Sequence, residues 1–193
     1  MGLSIVDISD PSQPEEITRM EDYPANCIVF GGGRLYVAKE YGVGYPTSQR
    51  VWQLDPTYPD SLQQLFYADP PGNSAFDLDY IYHHLFVASG LNSVSSTIGK
   101  FNILSKSGLS LVYSDNTNYN CTGISVNGNY IYVIDRDQLS GASNLYVYEA
   151  YDPASAYKAH EVALTSTAKD VLASDGYVYL LCVDKLLVYR HSY

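Results

Sequence analysis

The sequence predicts an all-β fold, a β-propeller of about four four-stranded blades preceded by one further outer strand. Three observations carry that prediction. A turn followed by an alternating apolar strand occurs as "GGGRLYVAK" (31–39), "YHHLFVAS" (82–89), "NGNYIYVID" (127–135) and "SDGYVYLLC" (174–182). Aligning these segments puts Tyr36, Phe86, Tyr132 and Tyr179 at one position, spaced by 50, 46 and 47 residues. No stretch shows sustained helical periodicity. Short strands in groups of four, recurring at roughly 40–50 residues, imply blades around an axis. A solenoid repeat carries fewer strands, and a β-sandwich has no such period.

Taken in order, residues 3–9 read as the outer strand of a preceding blade. The first unit, 10–56, offers a strand near 15–20, then "NCIVF", "RLYVAK" and "RVWQL". The second, 57–105, offers "LQQLFYA", "AFDLDYI", "HLFVAS" and "IGKFNIL". The third, 106–151, offers "LSLVYS", "TGISVNG", "NYIYVID" and "NLYVYEA". The fourth, 152–193, offers "KAHEVALT", "KDVLAS", "YVYLLCV" and "KLLVYR". Each run is rich in Val, Ile or Tyr and bounded by Gly, Asn, Asp or Pro, which is the signature of a strand. Asn-Gly and Asp-Gly stand where a tight hairpin wants positive φ.

A chain of 193 residues buries a sizeable core, and its 46% hydrophobic content is that of a folded protein. Twenty tyrosines stand against one Trp and five Phe. Tyr suits half-buried strand faces, so the excess supports β-structure before it supports any ligand. The formal net charge of −10 excludes nucleic acid and anionic membrane as partners, since both need a concentrated positive footprint. Cys27, Cys121 and Cys182 are odd in number, widely spaced and set in apolar strands. They indicate neither a disulfide framework nor a zinc site. No apolar run reaches membrane-spanning length, so membrane insertion is not expected. Met1-Gly2 leads straight into strand pattern, and any export leader is expected to be missing from this sequence.

"LSIVDISDPSQPEEI" (3–17) resembles the LVIVD repeat, whose hallmark strand reads L-x-I-V-D-x-S-D-P-x-x-P. Weaker echoes are "VWQLDPTYPD" (51–60) and "LYVYEAYDPASA" (145–156). "KFNILSKSGLS" and "KLLVYRHSY" have lost the Asp-Pro. The resemblance implies propeller repeats, often on exported or cell-surface bacterial proteins, and no general catalytic motif. The last unit already holds its own fourth strand, so the opening strand finds no vacancy to fill. The chain is therefore expected to be the C-terminal portion of a larger ring, or a small ring completed by a second copy. Open blade edges carry unpaired backbone groups, and self-association through them is expected.

Propeller topology sorts the connections onto two faces. The turns "GGG", "NGN" and "SDG" and the Asp-Pro turns share one; the long polar segments 39–49, 69–75, 89–97, 114–120 and 135–143 share the other. Binding function concentrates on long loops carried by a rigid scaffold. The second face is expected to gather Tyr23, Tyr41, Tyr45, Asp115, Asn116, Asn118, Tyr119, Asp135 and Asp137 as a binding surface. Tyr with Asn stacks on sugars or packs a protein while hydrogen-bonding it; the same residues are also ordinary turn formers. "DRD" (135–137) and "FDLDY" (76–80) place carboxylates two apart, on one strand face, but match no Ca²⁺ loop. They are expected to be solvated surface pairs. Adjacent His83 and His84 point to opposite faces, and His160 and His191 stand alone, so no metal site is expected. No nucleophile elbow or phosphate loop occurs. "NCT" (120–122) fits an N-glycosylation acceptor only in a eukaryotic secretory setting.

These readings converge on a non-enzymatic extracellular or cell-surface module that binds a protein or glycan and needs no cofactor. The alternatives are a propeller enzyme, a lyase or hydrolase acting at the central channel, and a structural element of an assembly.

Overall fold

The computed structural model describes residues 2–21, 25–39, 51–72, 74–90 and 98–191. Strands β1 (Leu3–Asp7) and β2 (Glu15–Met20) form a two-stranded sheet I. Sheet II holds β3 (Ala25–Gly31), β4 (Arg34–Lys39), β5 (Val51–Asp55) and β6 (Gln63–Ala68). Sheet III holds β7 (Ser74–Ile81), β8 (His84–Gly90), β9 (Gly99–Ser105) and β10 (Leu111–Thr117). Sheet IV holds β11 (Asn120–Asn127), β12 (Tyr130–Arg136), β13 (Ser143–Glu149) and β14 (Tyr157–Ala163). Sheet V holds β15 (Ala168–Ser174), β16 (Tyr177–Cys182) and β17 (Leu186–Arg190). A 3-10 turn, Pro153–Ser155, capped by Asp152, is the one departure from strand and loop among the described residues.

The strand at 15–20 corrects the expected frame. It pairs with β1, from Leu3↔Met20 to Asp7↔Glu15, instead of opening a sheet with β3. Each sheet therefore begins one strand later than the units drawn from the sequence, and β1 is followed by a further strand of its own sheet. The shift has a second consequence. Sheet V contains three strands, with β17 at its edge, so the expected absence of a vacancy there does not hold among the described residues.

Consecutive sheets face one another, and strand alternation builds a core between each pair. In β4, Tyr36 and Ala38 point to sheet III, while Val37 points back to Leu3 of sheet I. In β8, Phe86 and Ala88 point to sheet IV, while Leu85 and Val87 point back to sheet II. In β12, Tyr132 and Ile134 point to sheet V, while Ile131 and Val133 point back to sheet III. Period two is what turns one strand into a member of two cores. Burying each such aromatic or branched side chain stabilises by about 1.5–3 kcal/mol.

The repeat is visible in finer geometry too. A bulge near the start of each inner strand falls between Ala25/Cys27, Ala75/Asp77, Cys121/Gly123 and Ala168/Asp170. An extra residue there bends the strand and increases its twist. Hydrogen bonds between sheets obey the same period. Asp77 Oδ2 accepts from the Ile124 amide at 2.9 Å and Asp79 Oδ2 from the Val126 amide at 2.6 Å, each 47 residues away. Ser125 Oγ accepts from the Ala173 amide at 3.0 Å, 48 residues away. The carboxylates of "FDLDY" do share a face, and the backbone of β11 occupies it. They are partly buried staples between inner strands, not solvated surface pairs.

Gly99 shows how closely the outer part of sheet III approaches sheet IV. A Cβ there would lie 2.3 Å from both the Cys121 amide nitrogen and the Tyr119 carbonyl oxygen. Only glycine lets the backbones meet at this point.

Candidate functional site

The connections between first and second strands, and between third and fourth, emerge on one face; the remaining connections emerge on the other. The described turns follow the grouping drawn from the sequence, with the strand numbers shifted by one; segments 40–50 and 91–97 lie outside the described residues. Of the residues expected on the long-loop face, Tyr23, Tyr41 and Tyr45 lie outside the described residues.

All the others but Asp137 are brought together, and their polar atoms are engaged within the chain. Asp135, at the end of β12, is wholly buried. Its Oδ1 accepts from the Asn144 amide at 2.8 Å and from Asn144 Nδ2 at 3.0 Å. Its Oδ2 accepts from the Tyr119 amide at 2.8 Å and from the Tyr146 hydroxyl at 2.7 Å. Burial pushes this carboxyl above the usual carboxylate range, against the pull of those four donors. Tyr146 is likewise raised, by burial first and then by the carboxylate it serves. The Asn118 amide donates to the Tyr146 hydroxyl at 3.0 Å, and Asn118 Nδ2 reaches Glu161 at 2.8 Å. Asp115 accepts from the Tyr148 hydroxyl at 3.0 Å, and Asn116 Oδ1 takes the Lys100 ammonium at 2.5 Å. Asp137 sits apart in an exposed turn, accepting from the Leu139 amide and the Ser140 hydroxyl. "DRD" is thus one buried structural carboxylate and one turn-former rather than a solvated pair.

The opposite, short-turn face holds a concavity. Between sheets II and III lies a pocket of about 580 Å³, within the range of small-ligand and peptide-anchor sites. Leu65 and Phe66 of β6 give it apolar walls, and Phe66 is half exposed. Arg34, at the start of β4, and Lys106, after β9, bring two cations; His83 and His84 complete the rim from sheet III. Lys106 Nζ donates to the Gly32 carbonyl at 2.7 Å, and the Lys106 amide to the His83 carbonyl at 2.9 Å. The first bond clamps the turns of the two sheets together, and the second ties two turns of sheet III. Gln53, from β5, is 3% exposed, and its side-chain oxygen has no hydrogen-bond partner.

The turn at the lip is built against local preference. Tyr82 and His83 have φ of 46° and 69°. The equivalent turns use Gly32-Gly33, Gly128-Asn129 and Asp175-Gly176. A tight hairpin with positive φ at both centres favours Asn or Gly, so two bulky residues here hold strain of order 1 kcal/mol each. Strain of this kind collects where a surface is shaped for a task. Sequence reasoning passed over this pocket because its residues are scattered singly along the chain. The one legible signal was that, of the four aligned turns, only this one lacks glycine.

Comparison with solved structures places this architecture. The chain is similar to the computationally designed Ika4 protein, at 10% identity and a TM-score of 0.66 over 90% of this chain and 94% of that one. It is also similar to BamB from Moraxella catarrhalis, at 11% identity and a TM-score of 0.63 over 93% of this chain and 50% of that one. This chain thus spans half the length of the BamB chain. At such identities the likeness is one of fold. No curated protein matches the sequence.

The sheets, their order and these neighbours define a β-propeller protein. The LVIVD repeat family matches residues 1–22 and 120–139. The first match covers β1 and β2. The second covers β11 and β12, rather than the weaker Asp-Pro echoes at 51–60 and 145–156.

Proposed function

We propose that this chain is a non-enzymatic binding module that recognises a protein partner through its short-turn face, outside the cell or at its surface. The observation that carries the reading is the pocket between sheets II and III: concave, walled by Leu65 and Phe66, and strained at its lip. Exposed aromatics lie in or beside the turns of the same face. Tyr58, Tyr82 and Phe30 are each about two-thirds exposed, and Tyr151 stands at 69% beyond them. Aromatic side chains displayed on a rigid scaffold are what binding surfaces use as anchors.

Two features favour binding over catalysis. The carboxylates raised by burial, Asp77, Asp79 and Asp135, all spend oxygens on backbone amides. Among the described residues, no group of three His, Cys, Asp or Glu gathers to hold a metal. Burial pushes Cys27 up to about 12 and holds Cys121 well above its ordinary value, so both stay protonated and unreactive. Among the described residues, no helix is long and apolar enough to cross a membrane.

The test is photo-crosslinking in the cells that make the protein. A benzophenone amino acid replaces Phe66 or Tyr82 on one face, and Leu139 on the other. The expected result is a discrete protein adduct from positions 66 and 82 that external protease removes from intact cells. Adducts from position 139 alone, or none from any position, overturn the reading.

A further inference from the structure

From the chemistry of the pocket we infer that it takes a carboxylate attached to an apolar group, supplied by an acidic segment of the partner protein. The inference rests on the reading of the short-turn face as a binding surface and goes on to name what enters it.

The charge balance is the first argument. The chain carries 21 Asp and Glu against 11 Lys and Arg. Yet Arg34 and Lys106 both line this pocket, and among the described residues lining it there is no carboxylate. A site that concentrates cations within an acidic protein is selective for an anion that would be repelled elsewhere on its surface.

The second argument is the unused bonding capacity. Arg34 spends one terminal nitrogen on Asp55 at 3.2 Å and on the Gly33 carbonyl at 3.1 Å. A guanidinium presents five N–H donors, so it keeps donors for a second carboxylate. Lys106 spends one of its three on Gly32. Gln53 offers the converse, a buried acceptor oxygen without a donor. A peptide satisfies both demands, because its backbone N–H supplies the donor and its acidic side chain or C-terminus the anion.

The third argument is the wall. Leu65 and Phe66 are apolar, which suits a hydrophobic side chain next to the acid and fits poorly with a sugar, whose hydroxyls would need many polar partners. A free organic acid shares the carboxylate chemistry but leaves the exposed aromatics of this face without contact.

Fluorescence anisotropy on the whole chain tests this with three labelled octapeptides, identical except for a central Leu-Asp, Leu-Asn or Leu-Lys pair. Hexanoate serves as the free-acid arm and a tetragalacturonate as the acidic-sugar arm. The Leu-Asp peptide is expected to bind at least about tenfold more tightly than the Leu-Asn peptide, the loss of one hydrogen bond to a charged group. Its affinity is expected to fall as salt rises and to fall again in Arg34→Gln. Because Arg34→Gln also breaks the contact with Asp55, the decisive variant is Asp55→Asn. It frees the guanidinium and removes a competing carboxylate, so it is expected to tighten the Leu-Asp peptide severalfold and leave the Leu-Asn peptide unchanged. Equal affinity for the Asp and Asn peptides, weaker binding in Asp55→Asn, or preference for hexanoate or the tetragalacturonate overturns the inference. Crosslinked adducts at position 66 without any charge preference overturn it while leaving the binding face in place. Absence of adducts overturns both.

Discussion

The Tyr146 hydroxyl donates to Asp135 Oδ2 at 2.7 Å, joining neighbouring strands β12 and β13 beneath the long-loop face. Residues expected to greet a ligand instead hold sheet IV to the loop that enters it. Tyr146→Phe removes a charge-assisted bond and leaves the Asn118 amide without its acceptor, a loss of about 1.5–3 kcal/mol. Asp135→Ala strands four donors and costs about 3 kcal/mol or more. Urea unfolding midpoints measure both, and an unchanged midpoint in either variant would contradict the network.

The pH dependence follows from the buried carboxylates. Burial raises Asp77, Asp79 and Asp135 above the ordinary 3.8. A raised group binds its proton more tightly when folded, so its contribution to stability is full below 3.8 and is lost as pH rises through the folded value. Exposed Asp7, Asp10 and Asp137 are lowered by hydrogen bonds from Ser9, Ser12 and Ser140, and their contribution is lost on falling below 3.8. Stability is therefore expected to peak in mild acid. The thermal unfolding midpoint should fall as pH rises above 3.8 through the folded values, and the double variant Asp77→Asn, Asp79→Asn should flatten that slope.

One repeat position offers a matched pair. Phe86 is 3% exposed between sheets III and IV, whereas Tyr179 in sheet V is only half-buried. Phe86→Ala should cost about 3–5 kcal/mol, and Tyr179→Ala about 1 kcal/mol. Similar losses from the two would show that sheet V is covered in solution.

The same position explains what was legible in the sequence. The period was readable because Tyr36, Phe86 and Tyr132 each follow a tight turn and are buried by the next sheet, a local pattern with a local cause. The frame was not readable from "EEITRM", because which neighbour a strand chooses is a non-local matter of pairing, and its exposed side chains carry no core pattern. Asp135 was misjudged for a similar reason. In "DRD" it looks like loop; only the partners brought by Asn144, Tyr146 and Tyr119 make it core. The pocket combines Arg34, Gln53 and Lys106, which are unremarkable singly and meet only when two repeats are laid side by side.

The lip of that pocket gives a further prediction. Replacing Tyr82-His83 with Asn-Gly matches the turn to its backbone and should raise stability by about 1–2 kcal/mol. If the strained turn shapes the binding face, the same change should weaken partner capture, read by crosslinking yield at position 66. Greater stability with full capture would make the strain incidental.

Staples such as Asp79 to Val126 join residues one period, 47 positions, apart. Inner strands are thus anchored to their immediate neighbours along the chain. Genes encoding such a protein can gain or drop a whole module by duplication or deletion, and every surviving junction still finds its counterpart. Lineages are free to vary circumference while the joint between modules stays the same.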